Sequence, residues 1–165
     1  MAKMGAVILL FLFPGVSLAA PLASTTLEVV GDISECLLEF SVEKSDTYAV
    51  RIDYDYSDEG PSSRERVWKA AGGRLKDKKG TWNKPGAPFD IDASIVEIKS
   101  GRELYRGYVS RPLLSSWSSS SLHAELFRLN LKSGNYQLHA NRIGESKALV
   151  GLSVKISIVH AYNGK

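Results

Sequence analysis

The sequence predicts an all-β fold: an immunoglobulin-like antiparallel β-sandwich of about seven to eight strands with one short α-helical insertion. Three observations predict it. Apolar residues recur at every second position in many short segments, turn-forming residues separate those segments, and a tyrosine directly follows one of the turns. A period of two is typical of half-buried strands, and many short strands at this spacing indicate two packed antiparallel sheets.

The alternation is strongest in two places. In TYAVRIDYDYS, Val50 and Ile52 fall on one face of a strand and Arg51 on the other. The same pattern covers Val150–Ile158 near the C-terminus. The remaining strand candidates are Leu27–Val30, Cys36–Val42, Phe89–Ile98, Glu103–Val109, Leu122–Leu131 and Tyr136–Arg142.

One segment departs from this period. SSRERVWKAAGG has serines where an N-cap is needed, helix-forming residues over Arg64–Ala71, and paired glycines that would end a helix. A helix of two turns is not stable alone in water, so we expect Val67 and Trp68 to dock it on the sandwich. The following RLKDKKGTWNKPGAP and the later LLSSWSSSSLH are predicted to be loops.

The segment LKSGNYQLHA predicts a corner between the sheets. Ser133-Gly134-Asn135 is expected to form a tight turn in which Gly134 can adopt a positive φ without steric cost. Tyr136 then enters the next strand on the core face, and its hydroxyl bonds back to the upstream backbone as in a tyrosine corner. We assign Gly134 and Tyr136 structural roles.

Residues 1–19 predict a secretory signal peptide. They carry one charge at Lys3, an apolar core over Ala6–Phe13, and the Ser17-x-Ala19 spacing that suits signal peptidase. The apolar core is shorter than the ~20 residues of a membrane span. We therefore expect a periplasmic or secreted protein whose single domain covers residues 20–165, without stable membrane insertion after cleavage.

Composition narrows the classes of partner. Without Lys3 the chain has 20 basic and 18 acidic residues, a net charge of +2, which argues against nucleic acid. The single cysteine, Cys36, cannot form an internal disulfide. Cys36 lies two and four residues before Leu38 and Phe40, on the same face of the predicted strand, so it is predicted to be a buried, small apolar residue.

Charge is unevenly placed along the chain. Residues Leu27–Gly60 contain ten acidic and two basic residues, whereas Pro61–Pro88 contain two acidic and eight basic ones. We expect an acidic side and a basic excursion. Two interpretations stay open: an ordinary solvated surface, or a surface that steers a charged partner.

The residues that carry most enzyme chemistry do not form a recognised motif. His123, His139 and His160 fall on different predicted strands, without a second ligand at metal-binding spacing, so no metal or cofactor is expected. The chain lacks the G-x-S-x-G nucleophile motif. A hydrolase would need His123 close to a serine hydroxyl and a carboxylate in the folded protein. The sequence therefore favours a protein that is not an enzyme.

The tryptophans are unusually placed. Trp82 and Trp117 lie on predicted loops in polar surroundings, and Trp68 lies on the predicted helix among basic residues. Tryptophan is enriched at binding hot spots. The alternative is that each ring folds back to cover a sheet edge or the end of the sandwich.

The order of these features resembles a known family. The segments are LEFSVEKSDTYAVRIDY, VWKAAGG, KDKKG running into KPGAPFDI, LLSSWSSSS and LNLKSGNYQLHA, and together they span about Leu38 to Val159. They resemble a bacterial family of exported β-sandwich proteins catalogued only as domain of unknown function fifty-six twenty-five. This resemblance implies a fold but supplies no activity and no catalytic residues.

Protein recognition is the leading functional hypothesis. Small exported single-domain proteins of such families are often immunity proteins that neutralise an antibacterial effector, an association by type only. Contacts are expected from Ser62–Pro88 and Leu114–Ser121. The predicted binding residues are Trp68, Trp82 and Trp117 as anchors and Arg64, Arg66, Lys76, Lys78 and Lys79 as steering charges. The alternative is an envelope carbohydrate or lipid binder that uses the loop aromatics as stacking platforms.

Overall fold

A computed structural model describes residues 20–56, 63–72, 86–144 and 147–161. The predicted leader, residues 1–19, lies outside them. The described strands are β1 (Ala23–Thr26), β2 (Ile33–Val42), β3 (Asp46–Asp55), β4 (Asp90–Glu97), β5 (Arg102–Ser110), β6 (Ser116–Trp117), β7 (Ser121–Leu131), β8 (Gly134–Ile143) and β9 (Val154–His160), with helix α1 at Arg64–Ala70. No helix in these ranges has the length and apolarity needed to cross a bilayer.

The strands form the predicted sandwich of two antiparallel sheets. Sheet A has the order β1-β9-β3-β7-β6, and sheet B has the order β2-β8-β4-β5. Every strand pairing is antiparallel. Each long strand turns one apolar face inward, which explains the period of two in the sequence.

The core lies between the inner faces of the two sheets. On β3, the fully buried Val50 and Ile52 alternate with the outward Arg51, and Ile91 and Ile95 of β4 are also fully buried. The rings of Tyr105 on β5 and Phe127 on β7 stack with centroids 3.8 Å apart. This contact joins strands of the two sheets.

The predicted strand Leu27–Val30 is wrong, and so is the predicted start of the last strand. Leu27 and Val29 are buried, but they lie after the end of β1. The carbonyls of residues 28, 30 and 31 accept hydrogen bonds from the Arg142 side chain and not from a neighbouring strand. Strand β9 begins at Val154 rather than Val150, because a short 3-10 turn at Lys147–Leu149 precedes it. The serine-rich segment predicted as a loop contains the two-residue strand β6.

Helix α1 is as short as predicted. It docks through Val67, which is fully buried, while Trp68 is partly buried against the core. Gly72 follows it with a φ of 73°, the left-handed conformation that ends helices. Ser63 stands at the N-cap, as predicted, although its side chain makes no capping hydrogen bond.

Two tyrosine corners lie at one end of the sandwich. The Tyr136 hydroxyl donates to the Lys132 carbonyl at 2.8 Å, which confirms the predicted corner. The Tyr48 hydroxyl makes the same contact with the Lys44 carbonyl, also at 2.8 Å. Both corners share the sequence K-S-x-x-Y, and the backbone N–H of Ser133 donates to Ser45 Oγ at 3.3 Å. The β2–β3 and β7–β8 crossings between the sheets are therefore joined.

Gly134 does not have the predicted positive φ. It is the first residue of β8 and is not among the glycines with left-handed backbone. A Cβ at this position would lie 3.4 Å from the Tyr136 hydroxyl, which is an ordinary contact. In the other corner, Asp46 occupies the equivalent position and carries a side chain. The turn is therefore held by the tyrosine rather than by a glycine conformation.

A pair of substitutions separates these two roles. Tyr136→Phe is expected to lower the free energy of unfolding by about 1 kcal/mol, because the Lys132 carbonyl loses its donor. Gly134→Ala is expected to leave it unchanged or to raise it by up to about 1 kcal/mol, because alanine restricts the unfolded chain. Urea unfolding followed by tryptophan fluorescence measures both. A larger loss for Gly134→Ala than for Tyr136→Phe would contradict this assignment.

Candidate functional site

Aromatic and cationic side chains gather where β3 ends and the β6–β7 hairpin begins. The ring centroids of Trp68 on α1 and Trp117 on β6 are 6.4 Å apart. The Arg64 guanidinium carbon lies 5.6 Å from the Trp68 ring centroid and 5.7 Å from that of Tyr56. We call Tyr56, Arg64, Trp68 and Trp117 the tryptophan surface.

This surface combines an exposed ring with an oriented charge. Trp117 is 62% exposed, whereas Trp68 is partly buried. Cation–π attraction holds the Arg64 guanidinium over the faces of Tyr56 and Trp68. A ligand here would meet a large apolar ring and a cation side by side.

The hairpin that carries Trp117 is ordered by its serines. The Ser118 N–H donates to the Ser121 carbonyl at 2.8 Å, and Ser118 Oγ accepts from the N–H groups of Ser120 and Ser121 at 3.3 and 3.0 Å. The Tyr56 hydroxyl donates to the Ser118 carbonyl at 2.6 Å. These bonds fix the hairpin before any ligand arrives, which lowers the entropy cost of binding.

Asp55 fastens the same hairpin to β9. Its carboxylate accepts hydrogen bonds from Ser121 Oγ at 3.1 Å, Ser153 Oγ at 2.9 Å and Lys155 Nζ at 2.6 Å. The hydrogen bond to Asp55, together with its negative charge, raises the pKa of Lys155 above its usual value. Three separate segments of the chain are therefore tied together beneath the tryptophan surface.

The structure brings together some of the predicted binding residues. Arg64, Trp68 and Trp117 meet in the tryptophan surface, and Arg66 is exposed on the same helix. Trp82, Lys76, Lys78 and Lys79 lie outside the described residues. Sequence reasoning missed Tyr56, which it placed in the alternation of β3. The sequence does not set Tyr56 apart, because it continues the alternation of Ile52 and Tyr54.

A second polar cluster lies on the outer face of sheet A. His123 Nδ1 is 2.7 Å from Asp53 Oδ1, and Ser157 Oγ donates to Asp53 Oδ2 at 2.7 Å. Arg51 Nε also lies 2.7 Å from Asp53 Oδ1. Burial alone would raise the pKa of Asp53, but the hydrogen bonds from His123 and Ser157 and the Arg51 charge outweigh it and lower that pKa.

This cluster meets the requirement for a hydrolase only in part. His123 has its carboxylate, but the serine of the cluster, Ser157, donates to Asp53 and not to the imidazole. Ser115 Oγ contacts the backbone carbonyl of His123 at 3.2 Å, not its ring. The contacts of these residues join β3, β7 and β9, and they assign no nucleophile.

Cys36 is buried, as predicted from its place on the same strand face as Leu38 and Phe40. Desolvation raises the pKa of its thiol to about 11. Within the described ranges, no group of three or more histidine, cysteine, aspartate or glutamate residues is arranged to hold a metal ion.

Comparison with known proteins places the chain in a family. No curated protein matches it. The fold is similar to the crystal structure of a protein from Sulfurospirillum deleyianum, with a TM-score of 0.65 and 16% sequence identity, over 87% of this chain and 100% of that chain. At this identity the likeness shows the fold alone. A family model described as a domain of unknown function, DUF5625, matches residues 34–160. Because this match covers most of the chain, and agrees with the resemblance of its motifs, the protein belongs to the DUF5625 family.

Proposed function

We propose that the protein is a non-catalytic, exported recognition module that binds another protein through the tryptophan surface. The observation that carries this proposal is the 62% exposure of Trp117 on a hairpin held by its own hydrogen bonds. Binding is favoured when a partner covers an exposed tryptophan, because its apolar surface is removed from water. A hairpin that is already fixed loses little conformational entropy on binding. Tryptophan and arginine are also the residues most enriched at binding hot spots.

One specific form of this proposal is a periplasmic immunity protein. Its partner would be an antibacterial effector enzyme, and Arg64 and Arg66 would contribute positive charge to the contact. An exposed ring beside a guanidinium suits a partner with an apolar pocket bordered by carboxylates. The other candidate, an envelope carbohydrate or lipid binder, would use the Trp117 ring as a stacking platform.

Site-specific cross-linking in cells of the source bacterium tests the proposal. A photo-activated cross-linking amino acid is placed at position 117 and, as a control, at position 98. Ile98 is also an exposed apolar residue, at 47%, and lies beside the tyrosine corners, at the other end of the sandwich. We expect a discrete protein adduct from position 117 and none from position 98.

The affinity for the partner captured in this way is then measured with purified proteins. Trp117→Ala is expected to weaken binding roughly 30-fold, the effect of losing a hot-spot residue, while Ile98→Ala leaves it unchanged. Equal affinity of Trp117→Ala and the unmodified protein would overturn the proposal. Absence of an adduct, together with a change of tryptophan fluorescence on adding purified envelope glycans or lipid vesicles, would favour the alternative.

A further inference from the structure

Sheet B presents a polar outer face that the proposed function does not use. Two neighbouring rows of outward side chains cross its four strands in the order β2, β8, β4, β5. The first row is Glu35, Asn141, Asp92 and Tyr108, and the second is Leu37, His139, Ser94 and Arg106. A cleft of about 270 Å³ lies over these rows, and its lining includes Glu35, Asp92, Asn141, His139 and Arg106.

Many polar groups around the cleft already have partners. Gln137 Nε2 donates to Glu39 at 3.0 Å, and His139 Nε2 lies 2.6 Å from Gln137 Oε1. Arg106 forms an ion pair with Glu103 at 2.9 Å. These side chains bond to one another, so they add little capacity for a ligand.

The middle of the first row differs. Within the described part of the chain, the side chains of Glu35, Asp92 and Asn141 make no hydrogen bond or ion pair, although they occupy consecutive positions on three adjacent strands. Their oxygens face the cleft and can all accept hydrogen bonds. A ligand that supplies several N–H donors would satisfy all three groups.

Charge identifies the kind of ligand. The lining contains the carboxylates of Glu35, Asp92 and Glu103 and the guanidinium of Arg106, which pairs with Glu103 and also interacts electrostatically with Asp92, so the lining keeps a net negative charge. Beside them the Tyr108 ring is 59% exposed and is held in place by a hydrogen bond from its hydroxyl to Asp90. Carboxylates next to an aromatic face are the surroundings that bind a guanidinium or an ammonium group.

We propose that this cleft binds a cationic side chain, an arginine or a lysine, of a peptide or protein partner. The carboxylates of Glu35 and Asp92 and the amide oxygen of Asn141 accept its hydrogen bonds, and the Tyr108 ring lies against its charge. A neutral sugar could use the same oxygens but would gain nothing from the uncompensated negative charge. This surface does not depend on the tryptophan surface and can be tested separately.

Nuclear magnetic resonance gives a local readout, because the side-chain amide of Asn141 has its own signals. The ¹⁵N-labelled protein is titrated at low salt with the blocked peptide acetyl-Gly-Arg-Gly-Arg-Gly-amide. The matched control peptide has citrulline in place of arginine, which keeps the shape and removes the charge. We expect saturable shifts of the Asn141 amide signals with the arginine peptide and none with the citrulline peptide.

Charge variants complete the test. Asp92→Asn is expected to weaken arginine-peptide binding roughly three-fold, in line with an exposed ion pair. Asp32→Asn removes the same charge from an exposed position outside the cleft and should leave binding unchanged. Equal binding of the citrulline peptide would overturn the proposal. Saturable Asn141 shifts with cellotetraose that survive both Asp92→Asn and added salt would instead establish a neutral sugar site.

Discussion

Replacing Arg142 by methionine is expected to lower the free energy of unfolding by about 3 kcal/mol or more. The guanidinium is fully buried at the end of β8. Its Nε donates to the Glu28 carbonyl at 2.8 Å and its Nη2 to the Gly31 carbonyl at 2.7 Å, with further bonds to the carbonyls of Val30 and Gly144. Methionine fills a similar volume but leaves these carbonyls without donors, and each unsatisfied buried group costs about 1–3 kcal/mol.

Two further variants show whether geometry or charge matters. Arg142→Lys keeps the charge, but a single ammonium cannot reach carbonyls spread around a planar guanidinium, so most of the loss should remain. Arg106→Met removes an exposed arginine whose ion pair is also exposed, and should change stability by less than about 0.5 kcal/mol. Urea unfolding followed by fluorescence compares all three. If Arg142→Met were as stable as Arg106→Met, the assigned role of Arg142 would be wrong.

Asp53→Asn is expected to lower the free energy of unfolding by about 2 kcal/mol at pH 7. The carboxylate is buried and joins β3 to β7 through His123 and to β9 through Ser157. An amide presents an N–H group to one of these donors and cannot balance the charge of Arg51, which lies within ion-pair distance.

The effect of Asp53→Asn should depend on pH. Because folding lowers the pKa of Asp53, the ionised carboxylate stabilises the fold at pH values above its unfolded pKa of about 3.9. That contribution is lost as the pH falls through the lower folded pKa. The stability difference between Asp53→Asn and the unmodified protein should therefore shrink in acid. Denaturant unfolding from neutral to acidic pH measures it, and a constant difference would contradict the linkage.

Alternation located the long strands because each has one face in the core, as Val50 and Ile52 show. It failed where apolar residues are buried outside a strand. Leu27 is only 1% exposed, yet it lies beyond the end of β1. The alternation of apolar residues does not indicate which backbone groups form hydrogen bonds to a neighbouring strand. The two residues of β6 are too few to show any period.

The candidate site could be predicted in its residue types but not in its arrangement. Trp68 and Trp117 stood out because tryptophan in polar surroundings is unusual, whereas their contact depends on the docking of α1 and the shape of a hairpin. The pairing of Asp53 with His123 joins two strands far apart in sequence and has no local signal. The second tyrosine corner did have one, because KSDTY repeats the pattern of KSGNY.

The strand order also determines when the chain can fold. Strand β9, the last described strand, lies between β1 and β3 in sheet A, and β2 pairs with β8 across most of the chain. During synthesis, neither sheet can be completed until nearly all of these residues have left the ribosome. Pairings this distant in sequence must first overcome loop-closure entropy, so folding is expected on a timescale of roughly milliseconds to seconds. Until then the apolar strands stay open to chaperones, and the chain stays in the unfolded form that the proposed export would require.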